Sequence, residues 1–64
     1  MKVRTVMARL RAEGWLLVRQ KGSHRPYKHP IFGRLVTLAG HENEDLHPGA
    51  EASVFKQTGW KKEN

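Results

Sequence analysis

The sequence predicts a small α+β domain in α-β-β-β-α order. Both helices should cover one face of a three-stranded antiparallel sheet. Three observations lead there. Val3, Val6, Met7 and Leu10 recur at i, i+3, i+4 and i+7, the apolar stripe of a helix. Three short β-prone segments follow, separated by turn signals at Gly22 and at Pro30-Ile31-Phe32-Gly33. A last segment opens on Pro48 and closes on Gly59-Trp60, just as Gly14-Trp15 closes the first. Two helices on one side of a sheet leave its other face free, and the basic residues are expected there.

Each element has its own signals. The first helix should begin at residue 2 or 3, run to Glu13 and stop at Gly14, which accepts the left-handed C′ conformation. Trp15 then falls at C″ and packs on Leu10 at C3. Trp15 to Gln20 is β-prone and apolar at its start. Ser23 to His29 forms the second strand, where Pro26 lacks an amide donor and must sit at an edge or a bulge. If Tyr27 faces the core, alternation puts His24 and Lys28 on or near the open face. Arg34 to Leu38 is the third strand, ended by Ala39-Gly40. His41 to His47 reads as a polar, acidic loop. Pro48 suits the first turn of a helix whose candidate span is Ala50 to Thr58. The apolar stripe of that helix is thin: Ala50, Val54, Phe55 and Thr58. Gly59, Trp60 and Phe55 should repeat the cap of the first helix, and Lys61 to Asn64 should fray.

Sixty-four residues make one domain, spanning 1–64. A chain of this size buries only ~60% of its unfolded surface, so an obligate partner or a homo-oligomer is physically plausible. It has no cysteine, which removes disulfides and thiolate metal sites. No apolar run approaches the ~20 residues of a membrane span and no signal-peptide core is present, so the expected location is cytoplasmic. The net charge is +6. Residues 1–41 hold nine Lys/Arg against one acid, Glu13, while residues 42–64 hold three Lys against five acids. Charge so divided suggests one polyanion-binding face.

The densest cation run is Arg19-Gln20-Lys21-Gly22-Ser23-His24-Arg25-Pro26-Tyr27-Lys28-His29-Pro30, with four Lys/Arg and no acid. His24 follows the glycine turn and can exchange a proton near neutral pH. Cations that hold phosphate, with an imidazole that moves protons, are the minimum equipment for cutting RNA, whose 2′-hydroxyl is a built-in nucleophile. His24 is suited to take the 2′-hydroxyl proton or to protonate the leaving 5′-oxygen. Lys21 and Lys28 are the candidates to hold phosphate, and the Gly22 and Ser23 amides or the Ser23 hydroxyl can donate to it. Arg25 and His29 complete the candidate RNA-contacting set, His29 as a strand-end residue that caps the chain or touches RNA.

Several motifs together resemble the HicA (YcfA-like) toxins of bacterial type II toxin–antitoxin systems. They are Lys2-x-Arg4, Gly14-Trp15, Arg19, Gly22-Ser23-His24-x-x-Tyr27-x-His29-Pro30, Val36-Thr37, Asp45-Leu46, Pro48-Gly49 and Phe55-Lys56-Gln57-x-Gly59. The resemblance covers about residues 2–60. It implies a fold similar to double-stranded-RNA-binding domains and an mRNA interferase activity that inhibits translation. It also implies catalysis by the histidine of Gly-Ser-His, here His24, and neutralisation by a HicB-type antitoxin that takes part in operon repression on operator DNA. Ala50-Glu51 stands where the family usually has Thr-Leu, which predicts a weaker cap and one apolar contact fewer on the last helix.

Other readings compete at single residues. His29, His41 and His47 with Glu42 and Asp45 suggest a metal site, but their spacings are irregular and no two-histidine helical motif occurs. Neither metal nor cofactor is therefore expected. His41 and His47 read as loop and helix-entry residues. Tyr27 is favoured as core over a base-stacking role. Ser23 has no nearby acid to orient a Ser–His pair, and RNA needs no such nucleophile. Two functions stay open: a metal-independent ribonuclease toxin, and a non-catalytic RNA- or DNA-binding module on the same basic surface.

Overall fold

The computed structural model describes residues 1–61 of the chain. Helix α1 spans Val3–Ala12, strands β1, β2 and β3 span Leu16–Leu17, Arg25–Lys28 and Leu35–Leu38, and helix α2 spans Pro48–Thr58. The strands form one antiparallel sheet in the order β1-β2-β3. This is the α+β, α-β-β-β-α arrangement that the sequence predicts, compatible with a double-stranded-RNA-binding-domain-like fold. The frayed end expected at Lys61–Asn64 falls, from residue 62 onward, outside the described residues.

The first strand is shorter than its β-prone run. Val18 N donates to Pro26 O at 2.9 Å, and pairing resumes where Lys21 and His24 exchange two backbone hydrogen bonds of 3.1 Å. Arg19 and Gln20 therefore stand opposite Arg25 alone, which is a β-bulge. The bulge lies beside Pro26, which has no N–H to return to Val18. A proline is thereby accommodated in the central strand, as the expectation of an edge or bulge allowed.

Both helices pack on the same side of the sheet. The α1 stripe of Val3, Val6, Met7 and Leu10 is buried with Trp15, Tyr27, Val36, Leu38, Leu46, Val54 and Trp60 in one cluster. Ala50 and Phe55 pack against its margin, so α2 contributes the thin stripe read from the sequence. Leu46 belongs to this core, although it lies in a segment read only as a polar loop. That loop also serves the start of α1. Lys2 provides no side-chain cap. Instead Val3 N and Arg4 N donate to the carbonyls of Glu44 and Glu42 at 2.9 and 3.0 Å, satisfying donors that a helix start leaves unpaired.

The helix stops differ in detail. At the end of α1, Trp15 N donates to Leu10 O at 2.9 Å and Gly14 N to Arg11 O at 3.1 Å, the paired bonds of a Schellman cap. Gly14 has φ +92°, and a Cβ there would meet His29 Nε2 at 3.2 Å, so both conformation and space require glycine. At the end of α2, among the described residues, only Gly59 N bonds back, to Phe55 O at 2.8 Å. Trp60 N donates instead to Thr58 Oγ1, and its ring meets Phe55 edge-on at 5.7 Å. At the start of α2, His47 Nδ1 accepts from Gly49 N at 3.2 Å. The cap is thus supplied one residue before Pro48, whatever stands at Ala50-Glu51.

Glu13 joins the two ends. Its carbonyl accepts from His29 Nε2 at 3.0 Å. Its carboxylate accepts from Trp60 Nε1 at 2.8 Å and from Arg9 Nε at 3.0 Å, and the Arg9 guanidinium lies over the Trp60 ring at 4.2 Å. The indole N–H, and then Arg9, hold the Glu13 carboxyl below the usual carboxylate range against the opposing effect of partial burial. A depressed carboxyl contributes stability that is complete above the ordinary carboxylate pKa and is lost as pH falls through its lowered value. Glu13→Ala should therefore cost roughly 1 kcal/mol at pH 7 in urea denaturation. The gap to wild type should shrink as the pH falls below the ordinary carboxylate range; a gap of equal size at pH 7 and pH 3 would contradict the carboxylate's role.

Candidate active site

Gly22 and Ser23 form the tip of a two-residue hairpin. Gly22 has φ +59° and Ser23 does not have a positive φ, the sign pattern of a type II′ turn with glycine at its first central position. Gln20 Nε2 donates to Gly22 O at 3.2 Å and braces the loop. Lys21 and His24 flank the tip as a directly opposed pair, so their side chains share a face and stand ~5 Å apart at Cβ. Both are exposed, and Ser23 is half-buried between them. The structure thus brings together Lys21, Gly22, Ser23 and His24.

Strand alternation sorts the rest. On β2, Arg25 and Tyr27 point into the domain while Pro26 and Lys28 do not. His24, Pro26 and Lys28 lie on the open face, the phase expected when Tyr27 is core. Tyr27 is 1% exposed, and burial pushes its hydroxyl pKa up against the pull of Arg11 and Arg25. Lys28 is on the right face but four residues from His24, ~13 Å along a strand.

Two of the candidates lie inside the fold. Arg25 is 7% exposed and its Nη1 donates to Gly40 O at 2.6 Å, tying the central strand to the loop after β3. Its guanidinium is thus engaged by the backbone beneath the sheet. His29 is 6% exposed. Its Nε2 donates to Glu13 O, and its Nδ1 faces Ile31 N at 3.1 Å and Phe32 N at 3.4 Å. Its ring packs edge-on against Trp15 at 5.2 Å and beside Phe32 at 4.3 Å. His29 thus caps the chain end that follows β2. His47 caps α2 and His41 lies in an exposed loop. Among the described residues no three His, Asp or Glu side chains gather as a metal site requires.

The open face is also less basic than expected. Across the sheet, Leu16, Lys28 and Leu35 form one row, and Val18, Pro26 and Thr37 form the next. Leu16, Val18 and Leu35 are 61%, 58% and 54% exposed. Among the described residues Lys28 is thus the one cation in these two rows, and Arg19 and Lys21 add positive charge at the hairpin. There a cavity of about 500 Å³ opens, lined by Arg19, Gln20, Lys21, His24, Pro26 and Thr37, with no acidic residue. Sequence reasoning passed over Gln20, Pro26 and Thr37 as site residues. Phasing the strand on His24 selects Pro26, and the Pro26–Thr37 register adds Thr37, but the bulge that turns Arg19 and Gln20 inward has no signal beyond the proline itself.

The site is thus a cationic hairpin on the uncovered face of a small α+β domain. Comparison with known families matches residues 3–60 to the family described as the HicA toxin of bacterial toxin–antitoxin systems. The chain belongs to the HicA toxin family. Membership makes it the toxin of a toxin–antitoxin pair and implies a cognate antitoxin. No match is found among curated proteins or among solved structures. Among the described residues no helix is long and apolar enough to cross a membrane.

The two histidines should part company on substitution. His29→Ala removes a buried ring with hydrogen bonds at both nitrogens and should cost ~2–4 kcal/mol. His24→Ala, on an exposed strand position, should stay within ~0.5 kcal/mol of wild type. Thermal or urea melts of the two variants check this, and equal losses would contradict the division.

Proposed function

We propose that the chain is an mRNA endoribonuclease that inhibits translation, with His24 as its catalytic residue and no metal in the chemical step. The observation that supports this most strongly is the exposed Lys21–His24 pair at the mouth of an acid-free cavity. RNA supplies the nucleophile. The 2′-oxygen attacks the adjacent phosphorus, the bond to the 5′-oxygen breaks, and a 2′,3′-cyclic phosphate and a 5′-hydroxyl result. His24 either takes the 2′ proton or gives one to the leaving oxygen, and water completes the other transfer. Lys21 neutralises charge on the phosphoryl oxygens, helped by the Gly22 and Ser23 amides at the tip. One positioned acid–base group contributes ~10²–10⁴ in rate, so the enzyme is a modest nuclease.

The cognate antitoxin, of HicB type on this reading, covers the open face. Leu16, Val18 and Leu35 around Lys28 offer it an exposed apolar platform beside the cavity. An antitoxin that carries apolar groups and an acid for Lys28 closes access to His24. It also carries the toxin onto operator DNA. The setting is the cytoplasm, where mRNA is found.

The test is incubation of purified protein with mRNA in EDTA, read on a denaturing gel. Cleavage should persist and leave cyclic or 3′-phosphate ends, while DNA and 2′-O-methylated RNA resist. His24→Ala should abolish it with the fold intact. Binding without cleavage would favour the non-catalytic module, and strict dependence on a divalent ion would favour metal-bound water as nucleophile.

The cations give a separate expectation. Lys21→Ala should lower both RNA affinity and cleavage, whereas Lys28→Ala should lower affinity more than the rate of the bound complex. Each should reduce the salt dependence of binding by up to ~1 unit of slope. Unchanged slopes for both would place the RNA elsewhere on the surface.

A further inference from the structure

We infer that the cavity beside His24 is a nucleoside pocket, which takes one unstacked base of single-stranded RNA next to the scissile phosphate, with Thr37 and Gln20 contacting the base edge. The inference rests on the ribonuclease reading of the same surface and names what that surface selects. At about 500 Å³ the cavity lies within the ~300–1,000 Å³ of small-ligand sites, enough for a single nucleoside. Pro26 gives it a rigid apolar wall in the central strand. Thr37 stands directly across from Pro26 in the sheet, so its hydroxyl lies beside that wall. Thr37 is exposed, and among the described residues its hydroxyl has no protein partner.

Gln20 spends one of its two amide N–H groups on Gly22 O, and its carbonyl oxygen is left to accept from a base. The Arg19 guanidinium on the cavity lining is planar and suited to stack on a base. One donor–acceptor hydroxyl, one acceptor and a stacking group form the equipment for reading a single base edge. Lys21 and His24 on the same lining put that base within one linkage of the reacting phosphate. A duplex keeps its bases stacked and paired, and so cannot place one in a concave site on a sheet.

The experiment uses the full chain carrying His24→Ala, so that RNA stays uncut, with and without Thr37→Val. The replacement is β-branched and of similar size on an exposed strand position, so melting should not move. Binding of short single-stranded RNAs that vary at one base is followed by fluorescence anisotropy, with a matched RNA duplex as competitor. Thr37→Val should weaken the preferred RNA by ~5–10-fold, the loss of about one hydrogen bond, and compress the differences among bases. The salt slope should not change, because no phosphate contact is lost. Equal affinities and equal base preferences with and without Thr37→Val would overturn the pocket, as would duplex binding as tight as the single strand. Cleavage by the wild-type chain is scored separately. Thr37-dependent binding in a protein that does not cut would keep the pocket and remove the ribonuclease reading.

Discussion

The two helices and the end of the central strand meet at Glu13, and the rest of the domain hangs on that junction. Its backbone carbonyl receives His29, and its carboxylate receives Trp60 and Arg9. Gly14 follows immediately, left-handed and without a side chain that would strike His29. The Schellman cap then turns the chain so that Trp15 covers Leu10 and abuts His29. A domain this small has little apolar area with which to set the angle between its elements. Directional bonds at one point do so instead. They also give the single acid of the basic stretch 1–41 a structural role.

That junction lies on the helix-covered side, and it leaves the opposite side for work. Alternation along β2 divides neighbouring residues between the two duties. Arg25 and Tyr27 hold the interior, while His24, Pro26 and Lys28 face outward. Five consecutive residues around a proline thus supply both structure and site. The bulge at Arg19 and Gln20 adds what flat pairing would not, by turning two polar side chains onto the cavity beside His24. The strong signal of the cation run in the sequence therefore conceals two kinds of cation. Lys21 stands free at the hairpin, and Arg25 is bound to a backbone carbonyl.

Element types and their order were legible because periodicity and turn chemistry report them directly. The stripe of α1, the Gly-Trp stops and the proline opening of α2 each carry a local mechanism. The face of His24 was legible too, once Tyr27 was taken as core. Burial at Arg25 and His29 was not, because charge and proximity in sequence say nothing of which way a strand residue points. The alternation from Tyr27 that places His24 outward turns Arg25 and His29 inward, but their charge and their place in the cation run drew them into the RNA-contacting set. Leu46 was hidden in an acidic loop, since a single apolar residue has no period. Thr37 was hidden because its closeness to His24 depends on sheet register, which no local pattern encodes.

The central claim is that RNA meets this protein at the hairpin and open face, with His24 at the working end and His29 and Arg25 inside the scaffold. Amide chemical-shift mapping of the ¹⁵N-labelled His24→Ala protein with a short single-stranded RNA tests it most directly. The account predicts the largest changes at Arg19 to Ser23, at Lys28 and at Thr37, with little change along α1. Changes centred on the exposed arginines of α1, Arg4 and Arg11, with a silent hairpin, would contradict it.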